Sequence, residues 1–213
     1  MADPYIPALS FNWLTPVYDF VLRWVMREET FKRALIAQAQ IAGGHRVLDV
    51  GCGTATLTIM VKQANPGAEV IGLDGDEGVL AIGRAKAEKA GAQITLDHGL
   101  AFDLPYPDGS FDRALSSLVF HHLTADNKQR TLKEIFRVLR PGGQLHLADF
   151  GPPHSLYGRL IAPLVRRLEE AADNVDGRLP HMFRAAGFDG VVETARFTSA
   201  LGPLSLYRAQ KPG

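Results

Sequence analysis

The sequence predicts an α/β fold in which a largely parallel sheet carries helices on both faces. Three observations predict it. The apolar run at 47–50 ends in a glycine-rich turn that opens a helix, strand-like and helix-like stretches then alternate as far as residue 150, and two more strand-like runs close the chain.

The elements follow in order. Val17, Phe20, Val21, Trp24 and Val25 recur at helical spacing, and Phe31, Leu35 and Ile36 continue that apolar face, so residues 1–44 read as an N-terminal helical cap. The first strand covers 46–50; Gly51 and Gly53 let backbone approach a ligand, and Thr54 is placed to cap the next helix. A second buried strand at 69–73 ends at Asp74, and a helix over about 77–90 stops at Gly91. A third strand near 93–97 leads to the turn-rich Pro105-Tyr106-Pro107-Asp108-Gly109, and 111–119 form a fourth with Phe120, His121 and His122 at its end. Residues 128–139 are helical, Arg140-Pro141-Gly142-Gly143 stops that helix, and 144–150 form a fifth strand containing Asp149. There the alternation breaks. Leu156, Leu160, Leu164 and Leu168 fall four apart on one side of a helix over 155–172, which reads as an insertion or lid. A short helix at 178–186 precedes Gly187, and strands near 191–197 and 204–210 finish the chain.

Composition bounds the function. A chain of 213 residues, 46% hydrophobic, without linker-like stretches, suits one domain. Its 23 Lys plus Arg balance 23 Asp plus Glu, so no global field recruits nucleic acid. The single Cys52 excludes an internal disulfide and a cysteine metal cluster, which points to a reducing, cytoplasmic setting. No leader pattern opens the sequence, and no apolar run approaches the roughly 18 residues of a spanning helix, so a soluble protein without an integral membrane segment is expected.

The acid before the glycine turn narrows the ligand. A dinucleotide site presents its glycines to a pyrophosphate, which a carboxylate two residues before the first glycine would repel; Asp49 therefore favours a cationic or zwitterionic ligand. The stretch Val47-Leu48-Asp49-Val50-Gly51-Cys52-Gly53-Thr54-Ala55 resembles the first motif of the class I S-adenosylmethionine-dependent methyltransferases, with Ala55 where a third glycine is usual. Asp74 stands at the end of the next strand, where a rigid carboxylate can accept bonds from both ribose hydroxyls. The segment 99–112, Gly-Leu-Ala-Phe-Asp-Leu-Pro-Tyr-Pro-Asp-Gly-Ser-Phe-Asp, is similar to the family's adenine-side motif, with Leu100 in place of its acid. Ser116-Ser117-Leu118-Val119-Phe120-His121-His122-Leu123 and Phe136-Arg137-Val138-Leu139-Arg140-Pro141-Gly142-Gly143 are similar to the stretches that follow in the ubiquinone and menaquinone C-methyltransferases and the small-molecule methyltransferases of the type 11 group.

That resemblance, dense over 46–150, implies a Rossmann-like three-layer sandwich with a mostly parallel seven-stranded sheet and a C-terminal antiparallel hairpin. It implies one methyltransferase domain over 1–213, divided into the cap at 1–44, a cofactor core at 45–150, a helical lid at 151–187 and closing strands at 188–213. Cofactor contacts fall on Tyr18, Asp49, Gly51, Cys52, Gly53, Asp74, Gly75, Leu100, Ala101 and Ser117, and the cofactor is S-adenosyl-L-methionine, leaving as S-adenosyl-L-homocysteine. His122 is the candidate for an optional base, ahead of His121, and Tyr18 resembles a tyrosine that helps close over the methionine end; no metal site is expected. Gly75 stands where a bulky residue often covers the adenine, a role that falls to Phe102 or Leu100. The expected activity is in-line methyl transfer to a small, partly apolar molecule, held by Trp13, Trp24 and the leucine-striped helix, although such a stripe is more often core or a homodimer surface. The alternatives are a silent binder of the same cofactor, kept open by Leu100 and Gly75, and a dinucleotide-dependent oxidoreductase, disfavoured by Asp49 and the missing G-x-G-x-x-G spacing.

Overall fold

A computed structural model describes residues 28–167, 170–199 and 202–213. Its first half contains α1 (Glu28–Ala39), β1 (Arg46–Val50), α2 (Thr56–Ala64), β2 (Glu69–Asp74), α3 (Glu77–Lys89) and β3 (Thr95–His98). Then come β4 (Phe111–Ser117), a 3-10 turn at Phe120–His122, α4 (Ala125–Val138) and β5 (Leu139–Phe150). The chain ends with α5 (Leu156–Val165), α6 (Ala172–Val175), α7 (Leu179–Ala185), β6 (Asp189–Ser199) and β7 (Gly202–Gln210).

The seven strands lie in the order β3-β2-β1-β4-β5-β7-β6. β1 to β5 pair in parallel, whereas β7 runs antiparallel to both β5 and β6, so the sheet closes on an antiparallel hairpin as expected. The strand order reverses between β1 and β4, the place in an open α/β sheet where ligands bind beyond the carboxyl ends.

Strand pleating divides the core between two faces. Leu48 and Val50 join Leu132, Ile135, Phe183 and Phe188 on one side, while Val47 joins Phe31, Leu35, Leu57 and Val61 on the other. Asp49 shares the second face with Val47, under α1 and α2, and is 1% exposed.

Four expectations change. Thr54 does not cap α2: the residue before the helix is Ala55, left-handed at φ 59, and Thr54 Oγ1 accepts instead from Lys86 Nζ at 2.9 Å. The left-handed residue delays the helix until Thr56, past the reach of a cap at 54. Arg140-Pro141-Gly142-Gly143 lies within β5 as an irregularity, since Phe111 pairs with Leu139 and Arg113 next with Gln144. The helix after β5 is shorter than 155–172: Pro163 removes a backbone donor, α5 ends at Val165, and Arg166 turns back to Asp176 at 2.9 Å. Finally, Leu156, Leu160 and Leu164 are 79%, 81% and 65% exposed, so they do not build the core among the described residues. Leu168, Trp13, Trp24, Tyr18 and the apolar series Val17 to Val25 lie outside the described residues. No described helix is long and apolar enough to cross a membrane.

Candidate functional site

The turn after β1 is built by backbone hydrogen bonds that hold it against β2. The N–H groups of Gly51 and Cys52 both donate to the Leu73 carbonyl, at 2.8 and 3.0 Å, and Ala55 donates to the Cys52 carbonyl at 2.9 Å. Gly51 (φ 71) and Gly53 (φ 52) take left-handed conformations that favour glycine. The two differ in surroundings. A Cβ on Gly51 would run into the Val119 side chain, 2.8 Å from Cγ1, whereas a Cβ on Gly53 would meet nothing within 4 Å. Ala55 adopts the same left-handed form without being glycine, and its methyl is accommodated by Gly83 of α3, whose own Cβ would lie 3.1 Å from it.

Asp74 faces this turn from the end of β2. One carboxylate oxygen accepts the Gly53 N–H at 2.8 Å and the other the Asp76 N–H at 3.0 Å. These N–H groups and that of Gly75 fix the carboxylate against rigid backbone, and a carboxylate has roughly four acceptor positions in all. Burial pushes this carboxyl above its ordinary range against the pull of those N–H groups, so further donors would stabilise its charge. Asp49 is a deeper acid: burial pushes it up to about 6, the Thr58 hydroxyl donates to it at 2.7 Å, and Lys32 pulls it down. Cys52 is a buried free thiol, raised by burial and by Asp49 and Asp74, which disfavours its reactive thiolate form.

The segment beyond β3 stands beside Asp74. Gly99 donates to the Asp74 carbonyl at 3.0 Å, and Asp103 donates to the Leu100 carbonyl at 3.0 Å, folding Leu100 and Ala101 into a tight turn, half-buried. The Phe102 ring lies 4.7 Å from the Arg130 guanidinium, which ties it to α4. Gly75 is joined through its carbonyl to His98 Nε2 at 3.1 Å, a neighbour that sequence spacing does not reveal because β3 must first be placed beside β2.

At the end of β4 the Ser116 hydroxyl donates to the Val50 carbonyl at 2.9 Å, while the buried Ser117 Oγ has no partner among the described residues. Leu118 is left-handed at φ 59, a costly conformation for a branched side chain, and it turns the chain so that Val119 lies over Gly51 and the 3-10 turn Phe120–His122 follows. His121 Nδ1 lies 2.8 Å from Asp149 Oδ1, and the His122 ring lies 3.9 Å from the His121 ring. His121 is thereby tied to a buried carboxylate. His154 Nε2 meets Thr198 Oγ1 at 3.2 Å, away from this cluster, and Tyr157 is 41% exposed. The site thus gathers Asp49, Gly51, Cys52, Gly53, Asp74, Gly75, Leu100, Ala101, Ser117, His121 and His122 at one end of the sheet. Thr58, Lys32 and His98 join it without having been singled out in the sequence; the one available signal is Thr58, nine residues after Asp49 on the helix the turn opens.

Residues 47–143 match the family model described as "Methyltransferase domain". The demethylmenaquinone methyltransferase of Listeria monocytogenes serotype 4b is 33% identical over 205 residues, spanning 85% of this chain and 84% of that protein. That of Thermus thermophilus is 35% identical over 145 residues, 67% of this chain and 65% of that protein. Among solved structures, Haemonchus contortus phosphoethanolamine N-methyltransferase 2 in complex with S-adenosyl-L-methionine superposes with a TM-score of 0.74 at 16% identity, covering 99% of this chain and 62% of that one.

Proposed function

Because the chain belongs to the class I S-adenosylmethionine-dependent methyltransferases, we propose that it moves the methyl group in line onto a small, partly apolar acceptor of the quinol kind. The acceptor class is supported by the relatives at 33–35% identity, whose names specify demethylmenaquinone. Bound S-adenosylmethionine supplies an electrophilic methyl group on a sulfonium, and the protein's task is to hold two reactants in line, which is worth on the order of 7–11 kcal/mol of barrier.

The observation that carries the reading is the Asp74 carboxylate, fixed by backbone N–H groups beside Gly53, where the turn leaves open space. In this reading Asp74 takes the ribose hydroxyls, the 51–53 turn approaches the methionine end, and Asp49 sets its position and charge from below. The Ala101 backbone and Leu100 side chain border the adenine, and Ser117 Oγ offers an unsatisfied hydroxyl beside the turn. Tyr18, outside the described residues, closes over the methionine end. We assign the core at 45–150 to the cofactor and the segments 1–44 and 151–187 to the acceptor, within one domain.

Calorimetric titration of S-adenosylhomocysteine tests this. Asp74→Ala is expected to weaken binding by about 1.5–3 kcal/mol, roughly 10- to 150-fold, with reduced nicotinamide cofactor not binding either form. Equal affinity in the two proteins would remove Asp74 from the site.

A further inference from the structure

Asp149 gathers more donors than a turn needs. It is fully buried near the end of β5; Oδ2 accepts the N–H groups of Val119 at 3.1 Å and Phe120 at 2.7 Å, and Oδ1 accepts that of Phe150 at 2.7 Å. The fourth position is taken by His121 Nδ1 at 2.8 Å. Burial alone would raise this carboxyl, but the His121 ring, the Phe150 N–H and His122 together hold it below its ordinary range. An ionised carboxylate is acceptor-only, so the proton in the contact belongs to Nδ1 of His121. In a neutral imidazole the other nitrogen, Nε2, then carries a free electron pair.

The location of that pair matters. The His121 side chain is 12% exposed, with one ring edge against Phe150 at 4.8 Å and the His122 ring at 3.9 Å. Its backbone carbonyl accepts from Glu170 N–H at 3.0 Å, and two residues earlier Val119 fills the space over Gly51. The strained Leu118 supplies the bend that brings these together. Capping the turn requires only a carboxylate and backbone amides; an oriented imidazole two residues from the side chain that covers Gly51 is an arrangement for moving a proton.

We propose that His121, oriented by Asp149, is the base that deprotonates the methyl acceptor, and that the acceptor therefore attacks from an ionisable phenolic or enolic hydroxyl system. This rests on the methyltransferase reading above. In the step, the acceptor O–H bond breaks, the proton bonds to His121 Nε2, and the electron pair stays on the acceptor, on oxygen or on the conjugated ring carbon beside it. The imidazolium formed is balanced by the Asp149 carboxylate and returns its proton to water. An amine or thiolate acceptor already has its pair and would leave such a base idle.

The test has one arm that needs no activity. Long-range proton–nitrogen NMR of the full chain at pH 8 should show His121 protonated at Nδ1 and bare at Nε2, with that preference lost in Asp149→Asn. His121 protonated at Nε2 in the wild type would overturn the proposal. In the second arm, 1,4-dihydroxynaphthalene is the acceptor. His121→Gln, which can still donate to Asp149, should bind S-adenosylhomocysteine within threefold of wild type yet transfer methyl at least ~100-fold more slowly at pH 7. The deficit should shrink as pH nears the acceptor's own ionisation at about 10, which a merely structural role would not produce. Wild-type turnover in His121→Gln overturns the base, and no transfer by a wild type that binds S-adenosylhomocysteine overturns the acceptor class. A wild type that fails to bind it overturns the methyltransferase reading instead, with the NMR arm still deciding the dyad. If Asp149→Asn does not fold, the wild-type tautomer and His121→Gln decide alone.

Discussion

Replacing Asp49 with asparagine should strengthen the fold while weakening the site. Asp49 is 1% exposed, and its Oδ2 accepts the Thr58 hydroxyl at 2.7 Å, a bond the asparagine carbonyl can keep. Burial raises its carboxyl from 3.8 to about 6, against smaller downward pulls from Thr58 and Lys32. That difference of about two units is worth ~3 kcal/mol. Because the folded value is the raised one, its contribution to stability is complete below about pH 4 and lost as pH rises through about 6. Above pH 7 the folded protein therefore holds a buried charge that it would be more stable without. Asp49→Asn should gain about 3 kcal/mol over wild type in urea unfolding at pH 8, and the gap should narrow to about half at pH 5, where the wild-type carboxyl is largely protonated. Titrated with S-adenosylhomocysteine, the same variant should bind more weakly. A variant no more stable than wild type at pH 8, or a gap that does not change with pH, would refute the argument that this acid is kept for ligand binding at a cost to the fold.

Two further substitutions probe the turn. Gly51→Ala should lose more than 2 kcal/mol in urea unfolding, combining about 1–2 kcal/mol for the left-handed backbone at φ 71 with the collision against Val119. Adding Val119→Ala should recover the steric part but not the backbone part; no recovery would mean that the collision is not the cause. Gly83→Ala should destabilise the wild type, because its Cβ would sit 3.1 Å from both the Ala55 methyl and Leu96 Cδ1, and should be better tolerated beside Ala55→Gly. A double-mutant cycle should show coupling of about 1 kcal/mol, and additive effects would remove the proposed contact.

The order of elements was legible because β1 and β2 are short, mostly apolar and β-branched runs that stop at a glycine turn or an acid, and because such stretches alternate with helical ones bounded by glycine and proline. The turn at 51–53 and Asp74 were legible for a related reason: glycine at a left-handed position and a carboxylate at a strand end each have few local alternatives. What failed was local geometry set from a distance. Ala55 is left-handed because the turn must stay bonded to Leu73 and Cys52, which shifted the start of α2 and took Thr54 from its expected role. The leucine spacing at 156, 160 and 164 carried a helical period but no information about its partner, and those side chains are exposed rather than packed into the core. The tie between His121 and Asp149 could not be read in the sequence, because that aspartate stands 28 residues after His121 on the neighbouring strand.

The Asp149 contacts tie the two halves of the site together. The same carboxylate fixes the amides of Val119 and Phe120 and orients His121, while Val119 fills the space that only a glycine at 51 leaves open. A disturbance at Asp149 therefore reaches the glycine turn through Val119 and the imidazole through Nδ1, whereas a disturbance at His121 reaches the imidazole alone. Buried polar groups of this kind gain their hold from complete satisfaction, since every acceptor position of Asp149 is used and none is left to rearrange. The strained Leu118 is stable for the same reason: three donors, from Val119, Phe120 and His121, converge on one buried acceptor and over-determine the path of the chain between β4 and α4. A proton acceptor held this way keeps its orientation without help from the acceptor molecule, so the site is ordered before the reactants meet.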